Sequence, residues 1–312
     1  MAETAHLESV GAACRLSGLR IDDNEVPELL RGRGRLRADV IQAQGYARAL
    51  QERFASAGRP LGWTDFARLN AVAIGALDRT AVSPWRTTAL VREGFSETGQ
   101  AIGRVYSTLP PREIDPCMNR LVGWLNAELQ HPARHPVPAI ATFVLGLLAA
   151  SPFESANGRT AFLAAGHLLR RAGYEHVAFS SLEKQIEALR TEFHESFDHS
   201  ATRFWSGSAE IAPWLSFFSQ VLDRQRERLD VQLALNENAQ TLPPLQAAIL
   251  NTVRENGTVS AGLLIEKTGA NRNTLKDNLR RLVERGQLER MGERRAAKYR
   301  LAPPSVAPDD QP

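Results

Sequence analysis

The longest apolar run in the chain, residues 139–150, contains no charged side chain and predicts a helix buried on every face. Beyond it, residues 160–173 place Leu163, His167, Leu168 and Arg171 at helical spacings and predict a second helix. Between the two lies SPFESANGR, residues 151–159. Pro152 stops the first helix from continuing, and Asn157-Gly158 tolerates positive φ. Successive backbone N–H groups are therefore expected to face one concavity at the second helix's N-terminus, an anion-binding nest with Arg159 as an added cation. Earlier, Leu121, Trp124, Leu125 and Leu129 form one helical stripe expected in the core, and Trp205 and Trp214 are expected to pack likewise.

The pattern changes after Leu242. Pro243-Pro244 open a helix carrying Leu245, Ala248, Ile249, Leu250 and Val253, which Gly257 stops. Residues 258–260 predict a short strand and residues 261–268 a second helix ending at Gly269. Asn271 caps a third helix through Arg285, with Leu275, Leu279, Leu282 and Val283 on one face. Residues 287–291 and 298–301 are the expected arms of a hairpin, which completes a winged helix-turn-helix.

Charge adds a functional expectation to that module. The 312-residue chain has a net charge of +3, yet residues 254–300 hold twelve Lys/Arg against six Asp/Glu, a difference of +6 that leaves about −3 elsewhere. Arg272, Asn273, Thr274 and Lys276 occupy the first turns of the third helix, the part that reaches base edges in such modules, while Arg294 and Arg295 on the wing are placed for phosphate. DNA is the expected partner, bound by a homodimer that matches paired half-sites. The alternative is a protein-contact or dimerisation module with a solvated basic face.

The remaining composition excludes several classes. At 43% hydrophobic and 23% charged, the chain supports a large core and one small domain. Its longest apolar run is too short to span a bilayer, so no membrane partner is expected. MAETAHLESV has no basic head followed by an apolar run, so it is not read as a secretory signal, and a cytoplasmic location is expected. Cys14 and Cys117 lack metal-ligand spacing and are read as reduced and structural. His131 and His135 are four apart, but Pro132 and Pro136 disfavour helical ligand geometry. The alternating arginines 31, 33, 35 and 37 are read as a solvated turn, and the proline-rich residues 303–312 as a disordered tail.

The 151–159 loop resembles the Fic (Fido) motif HPFx[D/E]GNGRxxR at Pro152, Phe153, Asn157, Gly158 and Arg159. Three further segments, in family order, extend the resemblance over about residues 10–225. SGLRIDDNEVPELLRG (17–32) is similar to the inhibitory-helix region SxxIEGN, with Gly18 where the motif has serine and Ser17 one residue early. GFSETGQ (94–100) is similar to GxFRTGQ before the target-binding flap, with Glu97 replacing its arginine, and residues 192–222 resemble the closing helices. The resemblance implies a mainly α fold: a Fic-like helical domain with a small β-hairpin flap over 1–230 (inhibitory-like region about 10–50, core about 60–225). A linker over 231–242, the winged helix-turn-helix over 243–302 and the tail are expected to follow.

Family members transfer AMP from ATP to protein hydroxyls, so a protein target is also implied. The motif's catalytic histidine is Ser151 here, and a hydroxyl has no useful basicity near neutral pH. Its Mg²⁺-holding carboxylate is Ser155, the first glycine of GNG is Ala156, and its second arginine is Phe162. Asn157, Gly158 and Arg159 remain to hold the phosphates of ATP, while Mg²⁺ is poorly provided for. The resemblance makes Asp22 the counterpart of the inhibitory glutamate, whose arginine partner is already missing. Two substitute bases are conceivable: Glu154, if its pKa is elevated, and His167, which is expected to face away. The expected function is regulation through DNA by a nucleotide-holding, transfer-deficient Fic-like protein; the alternative is a residual adenylyltransferase.

Overall fold

The computed structural model describes residues 1–33, 37–52, 59–78, 80–95, 101–240, 243–292 and 297–302. Arg35, Glu97, Arg294, Arg295 and the expected tail lie outside the described residues. The chain divides into two compact units, 1–228 and 229–312.

The first unit is mainly helical. It contains α1 (Ala2–Leu16), α2 (Val26–Leu30), α3 (Ala38–Gln51), α4 (Trp63–Ala73), a hairpin of β1 (Val91–Phe95) and β2 (Ala101–Ser107), and then α5 (Pro111–Gln130), α6 (Pro136–Ala150) and α7 (Asn157–Arg171). α8 (Leu182–Ala188), α9 (Arg190–Ala201) and the start of α10 (Ala212–Gln240) complete it. The expected flap is thus an antiparallel hairpin, with Val91 opposite Ser107 and Phe95 opposite Ala101.

α6 is the central helix, as its apolar run requires: from Ala139 to Ala150 only Thr142 escapes full burial. It packs against α5, α7 and α9. Aromatic side chains of α9 and α10 close this core, with Trp214 packed at tilted and edge-on angles among Phe193, Phe197 and Phe217 and its indole N–H donating to the Ala141 carbonyl oxygen at 2.7 Å. Trp205 is partly buried against the same core. Trp124 departs from expectation. It is 36% exposed on α5 while Leu125 is fully buried, because the buried stripe runs through Met118, Leu121, Val122 and Leu125 and the indole falls at its edge.

A second apolar cluster joins α1, α2 and α3 to α4 and to Leu163 of α7. Gly45 permits the α3–α4 approach, since a Cβ there would collide with the Val72 carbonyl oxygen. This seats α3 beside the first turns of α7. The arginines around residue 31 are exposed and paired, Arg31 and Arg33 with Glu28 and Arg37 with Glu25. No described helix is long and apolar enough to cross a membrane.

Most of the expected linker is helical. α10 continues to Gln240, since residues 231–240 contain neither proline nor glycine, and 241–242 lie outside the described residues. The second unit then has α11 (Pro244–Asn256), β3 (Thr258–Ser260), α12 (Ala261–Thr268), α13 (Arg272–Glu284), β4 (Leu288–Met291) and β5 (Lys298–Leu301). Its three strands form an antiparallel sheet in the order β3-β5-β4. Gly257 and Gly269 end α11 and α12 with positive φ, and Asn271 caps α13 by accepting from the Thr274 N–H at 2.9 Å. Ile249, Leu264, Leu275, Leu279 and Leu282 fill its core.

Candidate functional site

The segment between α6 and α7 is a tightly braced loop. α6 ends at Ser151, which adopts the left-handed conformation at φ 45°. The Ser151 hydroxyl donates to the Leu148 carbonyl oxygen at 2.8 Å and so serves the helix terminus. Asn157 holds the loop's shape: its Oδ1 accepts from the Phe153 N–H at 2.9 Å, and its Nδ2 donates to the Phe153 carbonyl oxygen at 2.8 Å. Its side chain is therefore a structural clamp, while its backbone opens α7. Asn70 of α4, buried, braces the far end by donating to the Ser155 carbonyl oxygen and to the Thr160 hydroxyl, each at 2.9 Å.

Positive φ does not fall where the Asn-Gly pair suggests. The left-handed residues are Ser151 and Ala156, whereas Asn157 and Gly158 are the first helical residues of α7. The chain must reverse before the helix begins, so the residue ahead of its first turn takes the strain. An alanine in that conformation costs about 1 kcal/mol. Ala156→Gly is accordingly expected to raise stability by about 1 kcal/mol, read by chemical denaturation; an unchanged midpoint would show the strain to be absent.

Arg86, absent from the sequence-level expectations, is the main brace. Its side chain is 1% exposed and its Nε donates to the Ser151 carbonyl oxygen at 2.7 Å. Nη1 donates to the Thr88 carbonyl oxygen, and Nη2 to the Thr108 hydroxyl and the carbonyl oxygens of Leu109 and Ala150. One guanidinium thus ties the end of α6 to the segments flanking the hairpin. Burial lowers its pKa, opposed by Glu154.

Glu154 is exposed and engaged. It accepts from the Thr87 N–H and the Thr88 hydroxyl, each at 2.8 Å, and those hydrogen bonds lower its pKa. The elevated carboxyl pKa that base work would require is not what this environment produces. His167 is buried rather than surface-lying, and it lies along α7 away from the loop with Nε2 2.9 Å from the Ala49 carbonyl oxygen.

Arg159 points into the protein. It is 2% exposed, its Nη2 donates to Gln42 Oε1 of α3, and its Nε and Nη1 are buried without a hydrogen-bond partner. Burial lowers its pKa, and Cys14, Tyr46 and Asp39 oppose that shift. A buried cation with unsatisfied donors is a costly arrangement that an incoming anion would relieve. Asp22 is exposed, and its backbone N–H donates to the Glu25 carboxylate at 3.1 Å. From the N-terminal region it is Gln42 that meets the loop's arginine. No sequence signal marks Gln42, because its role follows only from the crossing of α3 over α4. Phe162 lies in the core, 4% exposed and edge-on to Phe193 at 6.0 Å. Ser155 is exposed.

The donor set does not fit magnesium. Ser155 offers a neutral hydroxyl, and among the described residues no group of three or more His, Cys, Asp or Glu is arranged to hold a metal ion. The first turn of the 15-residue α7 offers backbone N–H groups, and Arg159 Nε and Nη1 are buried without a hydrogen-bond partner. Cys14 and Cys117 are both free thiols, and burial pushes Cys14 up to about 11. His131 and His135 end and begin helices, with His135 Nε2 3.0 Å from the Tyr174 hydroxyl.

On α13, Arg272, Asn273, Thr274 and Lys276 are all exposed, opposite the buried Leu275 and Leu279. Arg280 is flanked by Asp277 at 3.9 Å and Glu284 at 3.7 Å, and Arg300 pairs with Glu289 at 2.7 Å, so part of the basic excess is neutralised locally.

Comparison with known proteins agrees with this geometry. The Fic/DOC family model matches residues 68–169. A protein adenylyltransferase Fic from Culex quinquefasciatus is 32% identical over 136 residues, 43% of this chain; the match spans 24% of that protein's length. Among solved structures, a Fic domain-containing signaling protein from Bacteroides thetaiotaomicron aligns with a TM-score of 0.59 at 21% identity, covering 72% of this chain and 84% of that one. A Fic family protein from Desulfovibrio desulfuricans aligns with a TM-score of 0.56 at 16% identity, covering 98% of this chain and 89% of that one. Residues 68–169, which hold Asn70, Arg86, the 151–159 loop and most of α7, therefore form a Fic/DOC family domain.

Proposed function

We propose that this protein is a DNA-binding regulator on a Fic fold, whose loop no longer transfers AMP but still holds a nucleotide through its phosphates. The observation that carries the first half is the state of position 151. The family's proton acceptor is replaced by a hydroxyl that donates to the Leu148 carbonyl oxygen, so neither its chemistry nor its geometry serves a general base. The lowered pKa of Glu154 and the distance of His167 leave the position without a substitute. What remains is the N-terminus of α7 and the under-satisfied Arg159. Gln42 of α3 holds Nη2 of that guanidinium, which makes α3 a competitor for a phosphate there.

Titration of ATP into the full chain by calorimetry, with and without Mg²⁺, tests this reading. Binding is expected in both conditions with little difference between them, and lost in Arg159→Ala. Gln42→Ala is expected to tighten it by about 1 kcal/mol, roughly fivefold. Protein labelling from ATP marked at its α-phosphate, present with wild type and lost in Arg159→Ala, would instead establish residual adenylyltransfer, the activity in the Culex relative's name.

The second half rests on the C-terminal unit. Its three helices, its sheet order and the exposed polar face of α13 support a winged helix-turn-helix whose recognition helix is α13. Arg272, Asn273, Thr274 and Lys276 are the residues proposed to face the major groove, and Arg294 and Arg295 to meet phosphate. A homodimer and a cytoplasmic location accompany that role. Lys276→Ala is expected to weaken duplex DNA binding by the full chain and to reduce the slope of log affinity against log salt by about 0.9 if it contacts one phosphate. Binding without salt dependence would overturn the DNA reading.

A further inference from the structure

The dipeptide Asn-Gly occurs twice in the chain, at 157–158 and 256–257, and the fold treats the two differently. In this sequence a main-chain nitrogen attacks the preceding side-chain amide most readily, because glycine lacks the Cβ that would crowd that nitrogen. Asn157 is held against the reaction. Both ends of its carboxamide are bonded to Phe153, and Asn157 and Gly158 lie in the first turn of α7, so ring closure there requires the loop clamp and the helix start to open together.

Asn256 stands at the opposite extreme. It is the last residue of α11, and Asn256, Gly257 and Thr258 are all exposed. Gly257 has φ 71°, and nothing lies within 4 Å of the position a Cβ would take there. Its N–H meets no acceptor among the described residues, whereas Gly269, at the equivalent end of α12, donates to the Ile265 carbonyl oxygen at 2.9 Å. Among the described residues the Asn256 carboxamide makes one hydrogen bond, from Nδ2 to the Thr252 carbonyl oxygen at 2.8 Å, and at an exposed side chain water can replace it.

We infer that Asn256-Gly257 is a site of spontaneous deamidation, with water as its only co-reactant. The Gly257 nitrogen gives its proton to solvent base and bonds to Asn256 Cγ; Nδ2 takes up a proton and leaves as ammonia, and a five-membered succinimide forms. Water then breaks one of the two C–N bonds of the ring. Scission at Cγ gives aspartate, and scission at the main-chain carbonyl carbon gives isoaspartate, whose backbone runs through Cβ and is one methylene longer. One water is consumed and one ammonia released, with no oxidation or reduction. Either product puts a carboxylate at the C-terminus of α11, against the helix dipole, and removes the donor to Thr252. Isoaspartate also shifts the start of β3, where Thr258 pairs with Arg300 and Val259 is buried. The modification therefore ages the C-terminal unit, whether or not that unit binds DNA or the 151–159 loop binds ATP.

Incubation of the full chain in neutral and mildly alkaline buffer provides the test, with both Asn-Gly peptides followed by mass spectrometry and isoaspartate scored with an isoaspartyl methyltransferase. Asn256 is expected to convert at least about tenfold faster than Asn157, since two hydrogen bonds must break before the Asn157 ring can close. The rate should rise with pH, and the two sites should converge in urea strong enough to unfold the chain. Aged protein should melt below fresh protein. Asn256→Gln should abolish that loss, because glutamine must close a less favourable six-membered ring. Three results would each overturn the inference: an Asn256 that stays intact, equal conversion at the two sites in the folded chain, or a difference that persists in urea. Conversion at Asn256 with no fall in the melting temperature would overturn the ageing of the unit.

Discussion

Arg86→Met is expected to destabilise the protein by about 3–5 kcal/mol, the range for removing one member of a buried, charge-bearing hydrogen-bond network. The guanidinium is 1% exposed and serves five oxygen acceptors, four of them backbone carbonyls that cannot rotate away. Methionine fills a similar volume but donates nothing, so those acceptors become buried and unsatisfied. Arg86→Lys should also lose stability, because an ammonium concentrates three donors at one point and cannot span the same set. For a unit of this size the methionine variant should melt roughly 10 °C lower. Arg134→Met is the control: that arginine is largely exposed and pairs with Glu128, where a change below about 1 kcal/mol is expected. Urea denaturation measures all three, and a loss under 1 kcal/mol for Arg86→Met would show that the loop's anchor lies elsewhere.

Restoring the motif's second arginine should fail for a related reason. Phe162 is 4% exposed and packs edge-on against Phe193 within the central core. Phe162→Arg removes that aromatic contact and places a guanidinium among apolar side chains, a combination expected to cost at least about 3 kcal/mol. A triple substitution of Ser151→His, Ser155→Asp and Phe162→Arg is therefore expected to be poorly folded rather than reactivated. Ser151→His with Ser155→Asp leaves the core intact and is the informative revertant. Circular dichroism melts of the three variants check the order: double near wild type, Phe162→Arg well below it, triple lowest. A triple variant melting with wild type would show that position 162 can turn outward.

Asn157, Asn70 and Arg86 brace the 151–159 loop chiefly through its main-chain atoms. Phe162 belongs to the core, which makes an arginine there costly.

Much of this was legible in the chain itself. Apolar periodicity located α6, α7 and the helices of the C-terminal unit, and glycine and proline marked their ends, because burial and backbone sterics act over a few residues. The loop motif revealed its own departures, and a missing imidazole needs no coordinates to be recognised. Periodicity names a buried face but not the neighbour that covers it. Hence Gln42 as the partner of Arg159, Arg86 as the brace, the partial exposure of Trp124 and the downward shift of Glu154 emerged only from the packing of distant segments. Composition could not place the left-handed residues at Ser151 and Ala156 rather than at the Asn-Gly pair, since that choice depends on where α7 must begin to meet α4 and α6. Local sequence determined the elements and the functional groups offered at the loop. Long-range packing decided which charges are buried, what holds them and which space stays open, because those energies belong to contacts between residues far apart in the chain.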